Sequence, residues 1–468
     1  MSSTTTSTPL IFHGTLIHSV DPQNIEIILN GLLVISPDGK ILLLQRNIPP
    51  AEVQTVLTKI PKIPILPHLP SLPVRFLNRG EFLVPGFVDT HNHAPQWTQR
   101  GTGRGIPIME WLNTVTFPHE AKFADADYAR RTYASCVSGF IRQGVTLAAY
   151  YGSLHGEATK ILAETCLEKG QRALVGKCNM ARNAPDFYRD ASNTESLSVT
   201  QDVIAHIQRL DPTGDIVRPI LTPRFAICCD EDLLSGIGTI AAQNPDMMIQ
   251  THFNETKQEV AFTKELFPQF KNEADLYLHF GLFYSRTIMG HCIFPSDYEI
   301  GKLKEHDVGV ATCPVSTTTV ETWGAAPIRK YLDMGIKVGL GTDSGGGYSS
   351  SILDASRQAY ITSHARQTLT DGKETSLTLN ECFYLATLGG AKVCCMADKI
   401  GTFEVGKDFD ALEINALVGG QIAVIEDDDS ISMIFEKFMM TGDDRNIVKV
   451  YVRGRSIKSD WQLKRLSS

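Results

Sequence analysis

The sequence predicts an α/β protein: a (β/α)8 TIM-like barrel with a small β-sandwich domain formed from the N- and C-terminal segments. Three observations predict it. Strand-like apolar runs alternate with amphipathic, helix-period stretches, and there are eight of them, at 82–90, 144–150, 173–180, 216–223, 247–252, 286–291, 308–313 and 337–342. Eight such repeats specify a closed barrel with its active site at the carboxyl ends of the strands. Short apolar runs with glycine turns stand at both ends of the chain, and several barrel runs stop at polar residues suited to ligand chemistry. The expected division is 9–81 for the first part of the sandwich, 82–395 for the barrel and 396–460 for the second part.

Taken in order, Met1 to Thr8 is Ser/Thr-rich and reads as a disordered tip. Leu10-Ile11-Phe12, Gly31 to Ile35 and Ile41 to Leu44 are short strands, with Pro37-Asp38-Gly39 turning between the last two. Pro61 through Pro73 is too rich in proline for helix or central strand and reads as a surface insertion. Among the barrel's connections, Asp125 to Gly139, Gly156 to Lys169 and Asp230 to Ala242 have helical amphipathicity. Beyond the barrel, Gly401 to Leu412 and Ile447 to Arg455 return to short strands with glycine turns, so the chain ends as it begins.

Composition narrows the function. The 468 residues are 43% hydrophobic and 21% charged, enough for a large core in a soluble chain. A net charge of -8 and the lack of a dense Lys/Arg stripe argue against nucleic acid as a partner. No run approaches the ~20 apolar residues of a membrane span, and the beginning lacks the regions of a signal peptide, so no membrane partner is expected. Ten scattered cysteines without a secretory signal fit reduced thiols in the cytosol. No Cys-x-x-Cys occurs, so a metal site has to use His and Asp.

Such a site is indicated where the run Val84 to Val88 stops at Asp89-Thr90-His91-Asn92-His93. In an extended backbone residues i and i+2 share a face, so His91 and His93 can offer two imidazoles to one ion. Further strand ends carry Thr222-Pro223-Arg224-Phe225, Thr251-His252-Phe253-Asn254-Glu255, His291 and Thr342-Asp343. Three histidines and an aspartate suit zinc with one position left open, and a histidine and a glutamate remain for proton chemistry. Any one of these alone is more often a core histidine or a turn aspartate; their arrival at one rim carries the reading. Two features lead elsewhere. Ser344 to Ser350 is glycine-rich but lacks the Gly-Lys-Ser/Thr of a phosphate loop, and reads as a turn that brings backbone close to the site. His155-Gly156-Glu157 imitates the His-x-Glu of nucleobase deaminases of another fold, whose Pro-Cys-x-x-Cys is missing.

The chain from about Leu83 to about Arg455 resembles the amidohydrolase superfamily and, within it, the guanine deaminase family. The segments that carry the resemblance are Pro85 to Gln96, Glu110-Trp111-Leu112, Thr116-Phe117-Pro118, Thr222 to Phe225, Gly339 to Asp343, Ala386 to Gly390, Phe403 to Lys407 and Gly442 to Asn446. The resemblance implies a cytoplasmic, zinc-dependent homodimer of purine catabolism that hydrolyses guanine to xanthine and ammonia. It implies one Zn2+ per chain held by His91, His93, His252 and Asp343, with Glu255 shuttling protons, His291 holding the attacking water and Asp343 also accepting its proton. Gln96 and Arg224 would read the purine edge, with Phe225 and Trp111 as apolar or stacking surface; the bland readings are a surface salt bridge for Arg224 and helix packing for Trp111. Two-metal members use a modified lysine at a strand end; the fourth strand ends here without one, and Lys177 in the third is a weaker substitute, so a second metal is not expected.

One segment departs from the family. The usual His-Cys-Pro-x-Ser-Asn at the seventh strand end is here Thr312-Cys313-Pro314-Val315-Ser316-Thr317. Alternatives to guanine therefore stay open: a pterin or modified guanine with the same 2-amino-4-oxo edge, or a non-catalytic scaffold of the same fold.

Overall fold

A computed structural model describes residues 9–60, 69–317, 324–418 and 425–458. The reading of Met1 to Thr8 lies outside these, as do residues 61–68 of the proline-rich segment.

Both chain ends build one mixed sheet. Its strands run in the order Arg455–Ser456, Ile447–Val452, Ala411–Asn415, Glu81–Pro85, Leu10–Ser19, Ile25–Ile35 and Ile41–Gln45, with Val74–Phe76 also paired to Leu10–Ser19. The far edge is tied back toward the C-terminal segment by Lys40, whose Nζ is 2.6 Å from Asp408 Oδ1. On this sheet the Phe12 ring lies 5.4 Å from Phe409 and 5.8 Å from Tyr451, so residues from both chain ends pack into one apolar cluster.

The apolar run expected as one strand over 82–90 is two. Glu81–Pro85 pairs antiparallel with Ala411–Asn415 in the terminal sheet, whereas Phe87–His93 pairs parallel with Val145–Tyr151 in the barrel. The handover falls on Gly86, which donates its N–H to Asp410 while Phe87 donates to Gly144. Only glycine fits there, because a Cβ would lie 2.1 Å from Thr146 Oγ1.

Eight parallel strands form the barrel: Phe87–His93, Val145–Tyr151, Arg172–Gly176, Val217–Pro223, Met248–Phe253, Thr287–His291, Gly309–Thr312 and Val338–Leu340. Eighth and first strands are joined largely by side chains. Thr90 Oγ1 donates to Leu340 O at 2.9 Å, and the buried Asp89 carboxylate accepts from Thr342 N at 3.0 Å and Thr342 Oγ1 at 2.6 Å. The third run is shorter than expected: Arg172–Gly176 breaks at Lys177, and Cys178–Asn179 pairs separately with the fourth strand. Lys177 turns to Asp190, 2.5 Å away, in a buried ion pair outside the histidine cluster.

The helices follow their sequence signals. Ala126–Arg142 and Glu231–Gln243 begin at Asp125 and Asp230, whose carboxylates accept backbone N–H groups of the first turn. Gly156–Lys169 ends at Gly170 in the left-handed conformation at φ 76°. At the amino end of the barrel the fully buried Arg172 bonds Asp410 through Nε at 2.6 Å and Asp408 through Nη2 at 2.8 Å, locking the C-terminal segment to the barrel floor.

Candidate active site

At the carboxyl end of the barrel the first strand delivers His91 and His93, the fifth His252, the sixth His291, and the turn after the eighth Asp343. His93 Nε2 and His252 Nε2 lie 3.2 Å apart, and Asp343 Oδ1 lies 3.6 Å from Nε2 of both His91 and His93. Two ligand atoms on one tetrahedral zinc, at bond lengths of ~2.0–2.1 Å, are about 3.3 Å apart, so these separations fit a shared ion. Ligand atoms of His91, His252 and His291 also lie within 4.8 Å of one another, as do those of His91, His93 and Asp343.

The state of the donors fits as well. Burial pushes His91 down to about 3 and His93, His252 and His291 well below the ordinary histidine value, so the rings are neutral with lone pairs to give. His252 Nδ1 is 2.6 Å from Arg224 O, which leaves Nε2 as the free donor. His91 Nε2 is buried with no hydrogen-bond partner among the described residues, as an imidazole awaiting a cation would be.

Backbone and glycines make room for this cluster. His291 at φ 69°, Asp343 at φ 43° and Asn254 at φ 50° adopt left-handed conformations that side chains other than glycine seldom take and that gather at functional sites. A Cβ on Gly345 would sit 2.2 Å from Gln96 Oε1, and one on Gly346 2.3 Å from Asp343 Oδ2. The glycine-rich turn thus presses backbone against two site residues.

One cavity is walled by His93, Gln96, Trp111, Arg224, Phe225, His252, Glu255 and Asp343, together with Ile108 and Leu112. His91 and His291 are fully buried beside it, their rings 4.9 Å apart. All residues singled out for ligand, proton or substrate roles therefore meet in one place. Glu255 Oε1 is 3.7 Å from His291 Nε2, and burial, reinforced by the Asp343 carboxylate, pushes Glu255 up to about 8. Trp111 is nine-tenths buried in an apolar cluster with Leu112, Phe117 and Tyr188, so it both packs its helix and faces the cavity.

Arg224 is in no surface salt bridge. Its Nη1 donates to Glu120 Oε2 at 2.7 Å and its Nη2 to Glu120 Oε1 at 3.1 Å, both side chains being buried. Burial works to lower the guanidinium and Glu120 outweighs it, keeping Arg224 charged. Gln96 Nε2 donates to the same carboxylate at 2.8 Å. Sequence reasoning missed Glu120, although it stands two residues after the noted Thr116-Phe117-Pro118. It also missed Tyr151, whose ring lies 4.5 Å from His93 and 4.7 Å from His91. The His155-Gly156-Glu157 motif has another place: His155 stands at the start of the helix Gly156–Lys169, and the Glu157 carboxylate is largely exposed. At the altered seventh strand, Thr312, Val315 and Thr317 are buried but are not among the described residues that wall the cavity.

Residues 82–457 match the amidohydrolase family. A guanine deaminase of Dictyostelium discoideum is 38% identical over 449 residues, 96% of this chain and 98% of the relative. One of Rattus norvegicus is 37% identical over 453 residues, 96% of each. The crystal structure of guanine deaminase from C. acetobutylicum with bound guanine in the active site superposes with a TM-score of 0.85 at 32% identity, covering 96% of this chain and 100% of that one.

Proposed function

The chain belongs to the amidohydrolase family, and from that premise we propose that it is a zinc-dependent aminohydrolase converting guanine and water to xanthine and ammonia. The observation that carries this reading is the meeting, around one cavity, of a histidine and aspartate cluster that fits zinc with an amide and a guanidinium suited to a purine edge. His91, His93, His252 and Asp343 would hold the ion. When bound, zinc supplies the positive charge that lets a water lose its proton near neutral pH.

The chain's own residues do the rest. Asp343 accepts the water proton, and His291 Nε2 orients the attacking oxygen. Glu255 delivers a proton to the ring nitrogen beside the carbon under attack as the C–O bond forms and the ring C–N double bond opens; its carboxylate then takes the remaining hydroxyl proton and passes it to the amine as that C–N bond breaks, and the proton held by Asp343 restores Glu255, so ammonia leaves neutral. A carboxyl held near 8 by burial suits that task, because it can both give and take a proton at neutral pH. Gln96 and Arg224 orient the base through its polar edge, while Phe225 and Trp111 border it with apolar surface. Guanine is favoured over a pterin because Gln96, Arg224 and Phe225, the residues through which the chain resembles guanine deaminases, all wall the cavity.

A homodimer, a cytoplasmic setting and a part in purine catabolism belong to the same proposal, supported by the likeness to guanine deaminases along nearly the whole chain. The test is ammonia release from guanine, pterins, cytosine and triazines, with zinc content measured on the same sample. Guanine turnover in proportion to zinc is expected; activity confined to pterins, or none in zinc-loaded protein, refutes the assignment.

A further inference from the structure

Glu120 closes the short helix Phe117–Glu120 and is 1% exposed, and its carboxylate bonds to side chains that are themselves buried. Oε1 accepts from Gln96 Nε2 at 2.8 Å and Arg224 Nη2 at 3.1 Å, and Oε2 accepts from Arg224 Nη1 at 2.7 Å. Gln96 and Arg224 come from the segments after the first and fourth barrel strands, and this one carboxylate joins them.

The consequence is a fixed polarity. An amide can turn over and exchange its oxygen for its nitrogen, but a carboxylate only accepts. Bound to Glu120, Gln96 has to keep its nitrogen toward the carboxylate and its carbonyl oxygen as an acceptor; Gln99 Nε2 donates to that oxygen at 3.4 Å, and its second lone pair is left for a ligand. Arg224 spends two of its five N–H groups on Glu120 and a third on Met180 Sδ at 3.7 Å, and keeps two donors. A wall with an acceptor beside donors matches a lactam, which offers a ring N–H beside a carbonyl. It mismatches an amidine, which offers a bare ring nitrogen beside an amino group.

We propose that Glu120 is a positioning residue that sets the polarity of Gln96 and Arg224, and through them the selection of oxo-purines over amino-purines. This rests on the proposed guanine chemistry. Glutamine at 120 would keep the shape but could pair with Gln96 in either orientation and would leave Arg224 without its counter-charge.

The test compares kcat and KM for guanine and for 2,6-diaminopurine, which carries an amino group in place of the oxo group, in the parent, Glu120→Gln and Glu120→Asp, with zinc content measured in each. The parent should prefer guanine. Glu120→Gln should retain zinc, raise KM for guanine about 10- to 100-fold with a smaller change in kcat, and cut the guanine preference by about tenfold or more, the scale on which hydrogen-bonded supports of a site act. Glu120→Asp, charged but shorter, should raise KM while keeping the preference. An unchanged KM and preference in Glu120→Gln overturns the proposal, as does an equal loss of kcat on both purines in both variants, which marks a merely structural role. Should Glu120→Gln fail to fold, Glu120→Asp decides: a raised KM with the preference kept supports the proposal, and a parental KM overturns it. A parent active on guanine whose selectivity ignores Glu120 sinks this inference alone; a parent inactive on guanine sinks the assigned function and this inference with it.

Discussion

Glu255 sits 3.7 Å from His291 and is held near 8 by burial, so exchanging its carboxyl for an amide of nearly the same shape isolates the proton step. Glu255→Gln is expected to keep zinc and fold while kcat falls by ~10²–10⁴; turnover within a few-fold of the parent would remove Glu255 from the mechanism. His252→Ala, which removes one arm of the cluster, should lose zinc on dialysis, and full retention would discard the ligand set. Gly345→Ala tests the turn: φ is 117° and the added methyl would fall 2.2 Å from Gln96 Oε1, so Gln96 must shift. Its KM for guanine should rise several-fold with zinc unchanged, and parental kinetics would show that the turn yields freely. Residues such as these were legible because imidazoles and carboxylates ended apolar runs. Glu120 was not: a lone glutamate in a helix has no pattern of its own, and its partner Arg224 lies 104 residues away in sequence.

At the scale of elements, alternation of apolar runs with helical periods was enough to find all eight barrel strands, because a parallel strand buried on both faces leaves a continuous apolar signature. The same signature hid the division at Gly86. Val84 and Val88 are equally buried, and nothing in their side chains says that one belongs to the terminal sheet and the other to the barrel. The break at Lys177 was likewise concealed, since the lysine's charge is met by Asp190 from outside the strand. The seventh strand carries its own prediction. Because Thr312 and Val315 are buried and are not among the described residues that wall the cavity, Val315→Ala should cost stability of about 1–2 kcal/mol through lost packing yet leave the ratio of kcat/KM for guanine over pterin within about threefold. A tenfold change in that ratio would return this strand to the substrate site.

For the whole molecule, the floor of the barrel and the terminal sheet are held by charge. Arg172→Met would strip the guanidinium from the buried Asp410 and leave Asp408 with Lys40 alone, and should destabilise the protein by about 3–5 kcal/mol, read as a lowered Tm. A Tm within a degree of the parent would show that these carboxylates find water or other cations. On the terminal sheet the Arg46 fork, with His18 adding and partial burial opposing, holds Glu26 down to about 2 from an ordinary 4.5. A depressed carboxyl stabilises the fold above its unfolded value and loses that contribution as protons bind. The Tm advantage of the parent over Glu26→Gln should therefore be full above pH 4.5 and shrink as pH falls toward 2; an advantage that grows on acidification would contradict the pairing.

The sheet that ties both ends together also orders events in time. Leu83 pairs with Glu413, so the strand that leads into the barrel lacks one neighbour until the far end of the chain has been made. At ~5–20 residues per second, a ribosome that has just released Pro85 needs roughly 15–65 s more to reach Ala411. Throughout that interval Phe82, Leu83 and Val84, fully buried in the finished protein, have an open edge beside them. Chains that end before residue 411 leave this apolar edge unpaired, so truncation there is expected to yield insoluble protein rather than a weakened enzyme, read as the soluble fraction on expression.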